Sequence, residues 1–261
     1  WSTFFSGGAI EATKSGGKMS SVGKQLICGK TMKKDNEEKV RPSGSKVSIV
    51  NVMAGSLDGA IASHPDESDD ERKAMGFINE ADHEHVRELL ASCDAVIAGG
   101  HSVNVSGGVM EVVNDAGQHP TWILCTRSGF EADAPIWNAP NTAKWLVSDK
   151  SLPSAKTSGS DRTLVYGSLE APQKGLVQTI CEACAEANFK RVLLFGGGFI
   201  NAAFYEAGAV DGFIVTICPV IVGSEKRVPI VQPSLSGPTH FTLDNVKTEG
   251  NLVFIHYIAV R

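Results

Sequence analysis

The chain has 261 residues, of which 42% are hydrophobic, and it carries a formal charge of −5. That is enough apolar material for one large α/β domain or two small ones, and the acidic balance leaves no electrostatic footprint for nucleic acid. No run approaches the roughly 20 apolar residues of a membrane span, and the opening WSTFFSGGAI lacks the charged start of a secretion signal. A cytoplasmic protein is therefore expected, with neither nucleic acid nor membrane as partner.

Residues 1–45 are rich in Gly, Ser and Lys and have no sustained periodicity. They read as an N-terminal extension, and residues 1–46 hold nine basic side chains against four acidic ones. A domain is expected over 46–261. Lys46–Ala54 is apolar and β-branched and predicts a buried strand. Asp70–Ser92 spaces Met75, Ile78, Val86, Leu89 and Leu90 among charges, as in an amphipathic helix. Strands are expected at Asp94–Gly100, Thr121–Thr126, Ala143–Ser148 and Arg162–Gly167, then a helix at Gln173–Asn188. Arg191–Gly198 predicts a buried strand, Phe199–Ala207 a helix, and Gly212–Gly223 a strand containing a proline. His240–Val246 and Asn251–Val260 alternate like an antiparallel pair. Strands alternating with helices, followed by strands alone, predict a mostly parallel sheet with an antiparallel edge at the C-terminus.

Six cysteines are scattered along the chain, at 28, 93, 125, 181, 184 and 218. Most sit inside apolar or helical runs and read as reduced core thiols. Cys181 and Cys184 lie within a helical pattern, with no second pair at metal-site spacing, so no metal is expected. Asp82-His83-Glu84-His85 resembles a ligand cluster, but positions two apart on a helix do not share a face. It reads as a solvated charged surface.

In an open α/β sheet, ligands bind at the carboxyl ends of the strands. Two such ends are glycine-rich. Gly99-Gly100-His101-Ser102-Val103 follows one strand, and Gly196-Gly197-Gly198-Phe199 runs from another into a helix. Glycine admits a ligand close to the backbone, and a helix start offers unpaired N–H groups to a phosphate. Both loops, on strands expected to be neighbours, suit a dinucleotide. Neither the G-x-G-x-x-G nor the Walker pattern is present. A third strand end, Thr126-Arg127-Ser128, offers a planar cation and hydroxyls, suited to the 2′-phosphate that separates NADP from NAD.

Taken in order, Ser56-Leu-Asp58-Gly, DAVIAGGHSV (94–103), TRSG (126–129) and VLLFGGGFINAAFYEAGAVDGFIVTICPVIVG (192–223) resemble the reductase domain of the riboflavin-pathway deaminase-reductase. The resemblance covers about Lys46 to Arg261. It implies a dihydrofolate-reductase-like three-layer α/β sandwich, NADPH as hydride donor and a homodimer. It also implies a 5′-phosphorylated ribosylaminopyrimidine substrate, whose ribose is reduced to an open ribityl chain. The zinc signature of the deaminase part, H-x-E…P-C-x-x-C, is missing, so the reductase part alone is expected. Matched by position, Gly99–Val103 and Gly196–Phe199 imply contacts to the cofactor phosphates, and Thr126–Ser128 implies contacts on its adenosine side. Ser56 and Asp58 fall on the substrate side, with Asp58 as the acid.

Two departures lie on that substrate side. The family usually has Glu before the glycines, where this chain has Phe195, and Asn104–Val113 differs from the usual acidic segment. Phe195 faces substrate by position but cannot move a proton. The departures leave two alternatives open. One is a same-fold reductase for another heterocycle, such as a pterin, and the other is a non-catalytic NADP-binding protein. A catalytic carboxylic acid needs a raised pKa, and Asp58 sits in an Asp-Gly turn that also suits a purely structural role.

Overall fold

A computed structural model describes residues 47–167 and 175–261. Residues 1–45, assigned above to an extension, lie outside the described residues, as do the first residues of the helix expected from Gln173. The first strand, β1 (Ser48–Gly55), is buried along most of its length. A turn with Gly59 at φ +78° leads into the short β2 (Ala60–Ala62). The helix expected over Asp70–Ser92 is in fact two helices. The first, α1 (Asp69–Ala74), opens on a capping box between Ser68 and Glu71. Gly76, at φ +78°, stops it in the left-handed conformation, and Phe77 drops into the core. Asn79 then caps α2 (Glu80–Ala91), its side-chain oxygen accepting from the Asp82 N–H at 3.1 Å.

The strands and helices alternate from here. They are β3 (Ala95–Gly99), α3 (Gly100–Val105), β4 (Thr121–Cys125), β5 (Lys144–Ser148), β6 (Arg162–Val165), α4 (Leu176–Glu186), β7 (Arg191–Gly196), α5 (Gly198–Glu206) and β8 (Gly212–Ile217). The chain closes with β9 (Val228–Pro229), β10 (Phe241–Glu249) and β11 (Leu252–Ala259). β8 stops at Ile217, short of the expected Gly223. Pro219 cannot donate to a ladder, and the Cys218 thiol turns to the Phe77 carbonyl at 2.8 Å.

Among the described residues the main sheet has nine strands, in the order β10-β11-β8-β1-β7-β3-β4-β5-β6. Every neighbouring pair from β8 to β6 is parallel, and β11 and β10 add an antiparallel edge. This is the arrangement expected from the sequence.

Side-chain alternation divides the core between the two faces. Ile49, Ile97, Val192 and Leu194 pack toward α4 and α5, against Ile180, Cys184 and Phe204. Val96, Leu124, Leu146 and Leu193 pack toward α2 and α3, against Leu89, Leu90 and Val103. The result is helix, sheet, helix, and each fully buried aliphatic side chain stabilises it by about 1.5–3 kcal/mol.

A buried polar network ties α5 to the middle of the sheet. Asn51 on β1 donates to the Leu194 carbonyl at 2.7 Å and to Asn201 Oδ1 at 3.1 Å. The Tyr205 hydroxyl donates to Asn51 Oδ1 at 2.9 Å. Asn201 Nδ2 donates onward to the Ile230 carbonyl at 2.7 Å. These bonds leave no buried amide in the network without a partner, and they fix where α5 begins.

Candidate active site

Register brings the three predicted loops side by side. Gly99 of β3 pairs with Cys125 of β4, and Ala98 pairs with Gly196 of β7. The segments 196–199, 99–103 and 126–129 therefore leave adjacent parallel strands at the same edge, and the one expected as a loop at 99–103 is the start of α3. Gly196 and Gly197 have φ of +49° and +103°, a region that side-chain-bearing residues avoid. A Cβ on Gly99 would meet the Gly196 carbonyl at 3.2 Å, and one on Gly197 would lie 3.5 Å from Ser102 Oγ. Ser102 thus stands between the two glycine loops. No side chain caps α5 at Gly197, so the N–H groups of its first turn remain available to an anion.

The third loop is held by Thr126, whose Oγ1 accepts from the N–H of Gly129 at 3.2 Å and of Ser128 at 3.4 Å. Arg127 is exposed and adds positive charge beside Tyr166. Ser128 borders a hollow of about 430 Å³ with Glu131, Asp133 and Lys156. His101 is mostly exposed and lies 3.0 Å from Asp66, which joins the β3 loop to the segment ahead of α1. Phe199 is 66% exposed on the first turn of α5.

A second cavity, about 370 Å³, opens beside these loops on the α2 face of the sheet. That volume falls within the range of small-molecule sites. Ala98, Ser102, Val103, Phe195 and Gly196 line it, so two of the glycine-rich segments and the departure at 195 meet in one place. Phe195 packs edge-on against Trp122, with ring centroids 6.1 Å apart.

The substrate-side pair predicted from the sequence lies elsewhere. Ser56 and Asp58 do not line this cavity. Ser56 Oγ donates to Asp58 Oδ1 at 2.6 Å, and the N–H groups of Val222 and Gly223 donate to the two carboxylate oxygens at 3.0 Å each. The Ser56 hydroxyl and those two amides hold the Asp58 carboxyl well below the usual carboxylate range. That direction is opposite to the one a proton donor needs. In this conformation Asp58 clamps the loop after β1 to the segment after β8.

Two carboxylates do line the cavity, the half-exposed Asp69 and the buried Asp82, at 3% exposure. Burial pushes the Asp82 carboxyl above the ordinary range, against the pull of the Thr216 hydroxyl, Arg72, His83 and His85. The sequence reading had placed residues 82–85 on a solvated face. His85 instead packs on Phe254 at 4.6 Å between ring centroids, and burial lowers its pKa. The helical phase carried the signal, because Asp82, Val86 and Leu89 stand at i, i+4 and i+7 on the stripe that faces the sheet. Thr216 and Arg72, which also line the cavity, come from β8 and α1 and had no local signature.

Comparison with known proteins adds a lineage to this geometry. A curated 2,5-diamino-6-ribosylamino-4(3H)-pyrimidinone 5′-phosphate reductase from Aquifex aeolicus is 23% identical over 189 residues, 70% of this chain and 81% of its own. Acinetobacter baumannii RibD superposes with a TM-score of 0.64 at 19% identity, over 82% of this chain and 58% of its own. The riboflavin biosynthesis reductase Rib7 of Saccharomyces cerevisiae superposes with a TM-score of 0.60 at 12% identity, over 84% of this chain and 93% of its own. This chain thus spans a little over half the length of RibD and nearly all of Rib7. The RibD C-terminal domain family matches residues 47–255. With that match, the parallel sheet and the glycine loops at its carboxyl edge, the chain belongs to the RibD C-terminal domain family of reductases, whose chemistry implies a reduced nicotinamide cofactor.

Proposed function

We propose that this chain is an NADPH-dependent reductase of a 5′-phosphorylated ribosylaminopyrimidine, the class of substrate named for its Aquifex relative. The observation that carries the reading is the row of three loops on β7, β3 and β4. Gly196–Gly198 and the open first turn of α5 would take one cofactor phosphate, with Gly99–Val103 beside them for the other. Thr126, Arg127 and Ser128 would take the adenosine side, Arg127 reading the 2′-phosphate. When bound, the nicotinamide supplies the hydride. The chain's own part is to hold the pyrimidine in the adjoining cavity, to exclude water with the apolar wall of Val52, Phe195 and Trp122, and to order the surrounding loops through Asp58.

The relatives named above are reductases of riboflavin biosynthesis or contain one. That favours this reading over a pterin substrate or a non-catalytic binding module. We place the enzyme in the cytoplasm, in keeping with the free thiols of Cys93, Cys125, Cys184 and Cys218. No described helix is long and apolar enough to cross a membrane. We also propose a homodimer, since one face of the β10–β11 edge exposes Leu243 and Val246 and an uncovered apolar patch favours association.

Fluorescence titration with NADPH and NADH tests the cofactor reading. Micromolar NADPH binding is expected, weakened at least tenfold by Arg127→Ala while NADH binding is unchanged. Absence of NADPH binding sinks the reading, and turnover of the phosphorylated pyrimidine then tests the substrate.

A further inference from the structure

The cavity wall contains two acids, Asp69 and Asp82, and of these only Asp82 is buried. Asp82 sits on the first turn of α2, and the bond from its backbone N–H to Asn79 fixes the residue in place. The Thr216 hydroxyl of β8 bonds to its carboxyl group. The other carboxyl oxygen, Oδ1, is fully buried and has no hydrogen-bond partner in the protein.

A buried carboxylate oxygen without a donor is unfavourable while it is charged. Such an oxygen is tolerated if it carries a proton or meets a donor on a bound molecule. The charged and titratable groups around it are Arg72 and, paired with Arg72 in the same cavity wall, Asp69 from α1, His83 and His85 from its own helix, and the Cys218 thiol beyond β8. The cationic groups among them pull toward ionisation, and burial opposes them and prevails. Phe195, where the family usually keeps a glutamate, stands in the wall of the same cavity. A position that cannot move a proton is thereby matched by a carboxyl elsewhere in the wall.

We propose that Asp82 is the proton donor of this site, in place of the acid missing at Phe195. The inference rests on the reductase reading above. Reduction of a C=N or C=O bond adds a hydride to carbon, and the π electron pair moves to the heteroatom. The O–H bond of the Asp82 carboxyl breaks as the new N–H or O–H bond forms. The substrate gains two electrons and two hydrogens, and the nicotinamide, which supplied the hydride, is left oxidised. The Asp82 carboxylate then recovers its proton from water, so the protein is unchanged after each turnover. Asp58 is unsuited to this step because three donors hold it as an anion.

The test compares the wild type with Asp82→Asn and Asp82→Glu. NADPH affinity, read by fluorescence, reports folding and the cofactor site, and is expected to change less than about twofold. With saturating NADPH and 2,5-diamino-6-ribosylamino-4(3H)-pyrimidinone 5′-phosphate, kcat is followed from pH 5 to 9. Wild-type kcat is expected to fall tenfold per pH unit above the pKa of the donor. Asp82→Asn should lose about 10²–10⁴-fold in kcat, the usual worth of a general acid, and should lose that pH limb. Asp82→Glu should recover part of the rate together with the limb. Asp82→Asn with kcat within threefold of wild type, or with the limb intact, overturns the proposal.

If the wild type binds NADPH but reduces no pyrimidine, the substrate reading has failed separately. The donor role is then judged by ¹³C NMR of the Asp82 carboxyl, which also decides the matter if Asp82→Asn does not fold. A carboxyl still protonated at pH 5 supports the proposal, and one already ionised there overturns it.

Discussion

Replacing Gly196 by alanine should be among the most damaging single-methyl additions in this fold. At φ +49° a non-glycine residue costs about 1–2 kcal/mol. The new Cβ would also lie 1.8 Å from Asn201 Oδ1, well inside van der Waals contact, so the Asn201 amide must move. That amide accepts from Asn51 and donates to the Ile230 carbonyl. Losing two buried hydrogen bonds costs about 1 kcal/mol each, and more where a partner is left unpaired. The sum is about 3–5 kcal/mol, a large part of the roughly 5–15 kcal/mol that holds a domain together.

The contact can be isolated with a double-mutant cycle. Asn201→Ala alone loses the same two bonds and opens the space under residue 196. Adding Gly196→Ala to that background should then cost only the backbone strain of about 1–2 kcal/mol. Urea unfolding of the four proteins should give a coupling of about 2 kcal/mol. Additive effects, to within about 0.5 kcal/mol, would refute the claim that Asn201 is what confines residue 196 to glycine.

Asp58→Asn should melt below the wild type at pH 7, because an amide cannot serve as a full acceptor to Ser56, Val222 and Gly223. A carboxyl with a depressed folded-state pKa contributes its stability above the ordinary value of about 4 and loses it as the pH falls below that. The gap in Tm by calorimetry should therefore shrink from pH 5 toward pH 2, and a gap that widens in acid contradicts the clamp. The buried thiols of Cys93 and Cys184 are pushed up to about 12 by desolvation, and that of Cys218 to about 11. In a Cys28→Ser background these three should react with a thiol reagent at pH 8 only as fast as the protein unfolds. Rapid labelling of native protein at any of them would show that the packing around it is open.

The glycine-rich strand ends were legible in the sequence, and the reason is local chemistry. The glycines at 99–100 and 196–198 end apolar runs too short to be anything but buried strands, and glycine at a strand end marks close backbone approach. The helix break at Gly76 and the cap at Asn79 were equally local signals, yet the amphipathic period runs through both and hid them. Asp82 was concealed differently. Its neighbours His83, Glu84 and His85 gave the segment a polar look, and only the helical phase, counted from Val86 and Leu89, places it inward.

The amino-acid sequence alone determined the alternation of the main strands with helices, the antiparallel C-terminal edge and the glycine-rich or polar segments at the carboxyl ends of β7, β3 and β4. Each of these follows from side-chain period or backbone freedom within a few residues. The sequence did not determine β2, α3, β9 or the split of α1 from α2. Which carboxyl could hold a proton was decided only by the tertiary structure. Asp58 and Asp82 are the same residue type, each in a polar stretch of chain. Asp58 meets amide donors 164 and 165 residues away along the chain, which stabilise its anion. Asp82 is carried under β8 with one oxygen unpartnered, which favours its acid. Protonation depends on desolvation and on the count of donors, and both are set by residues that become neighbours only on folding.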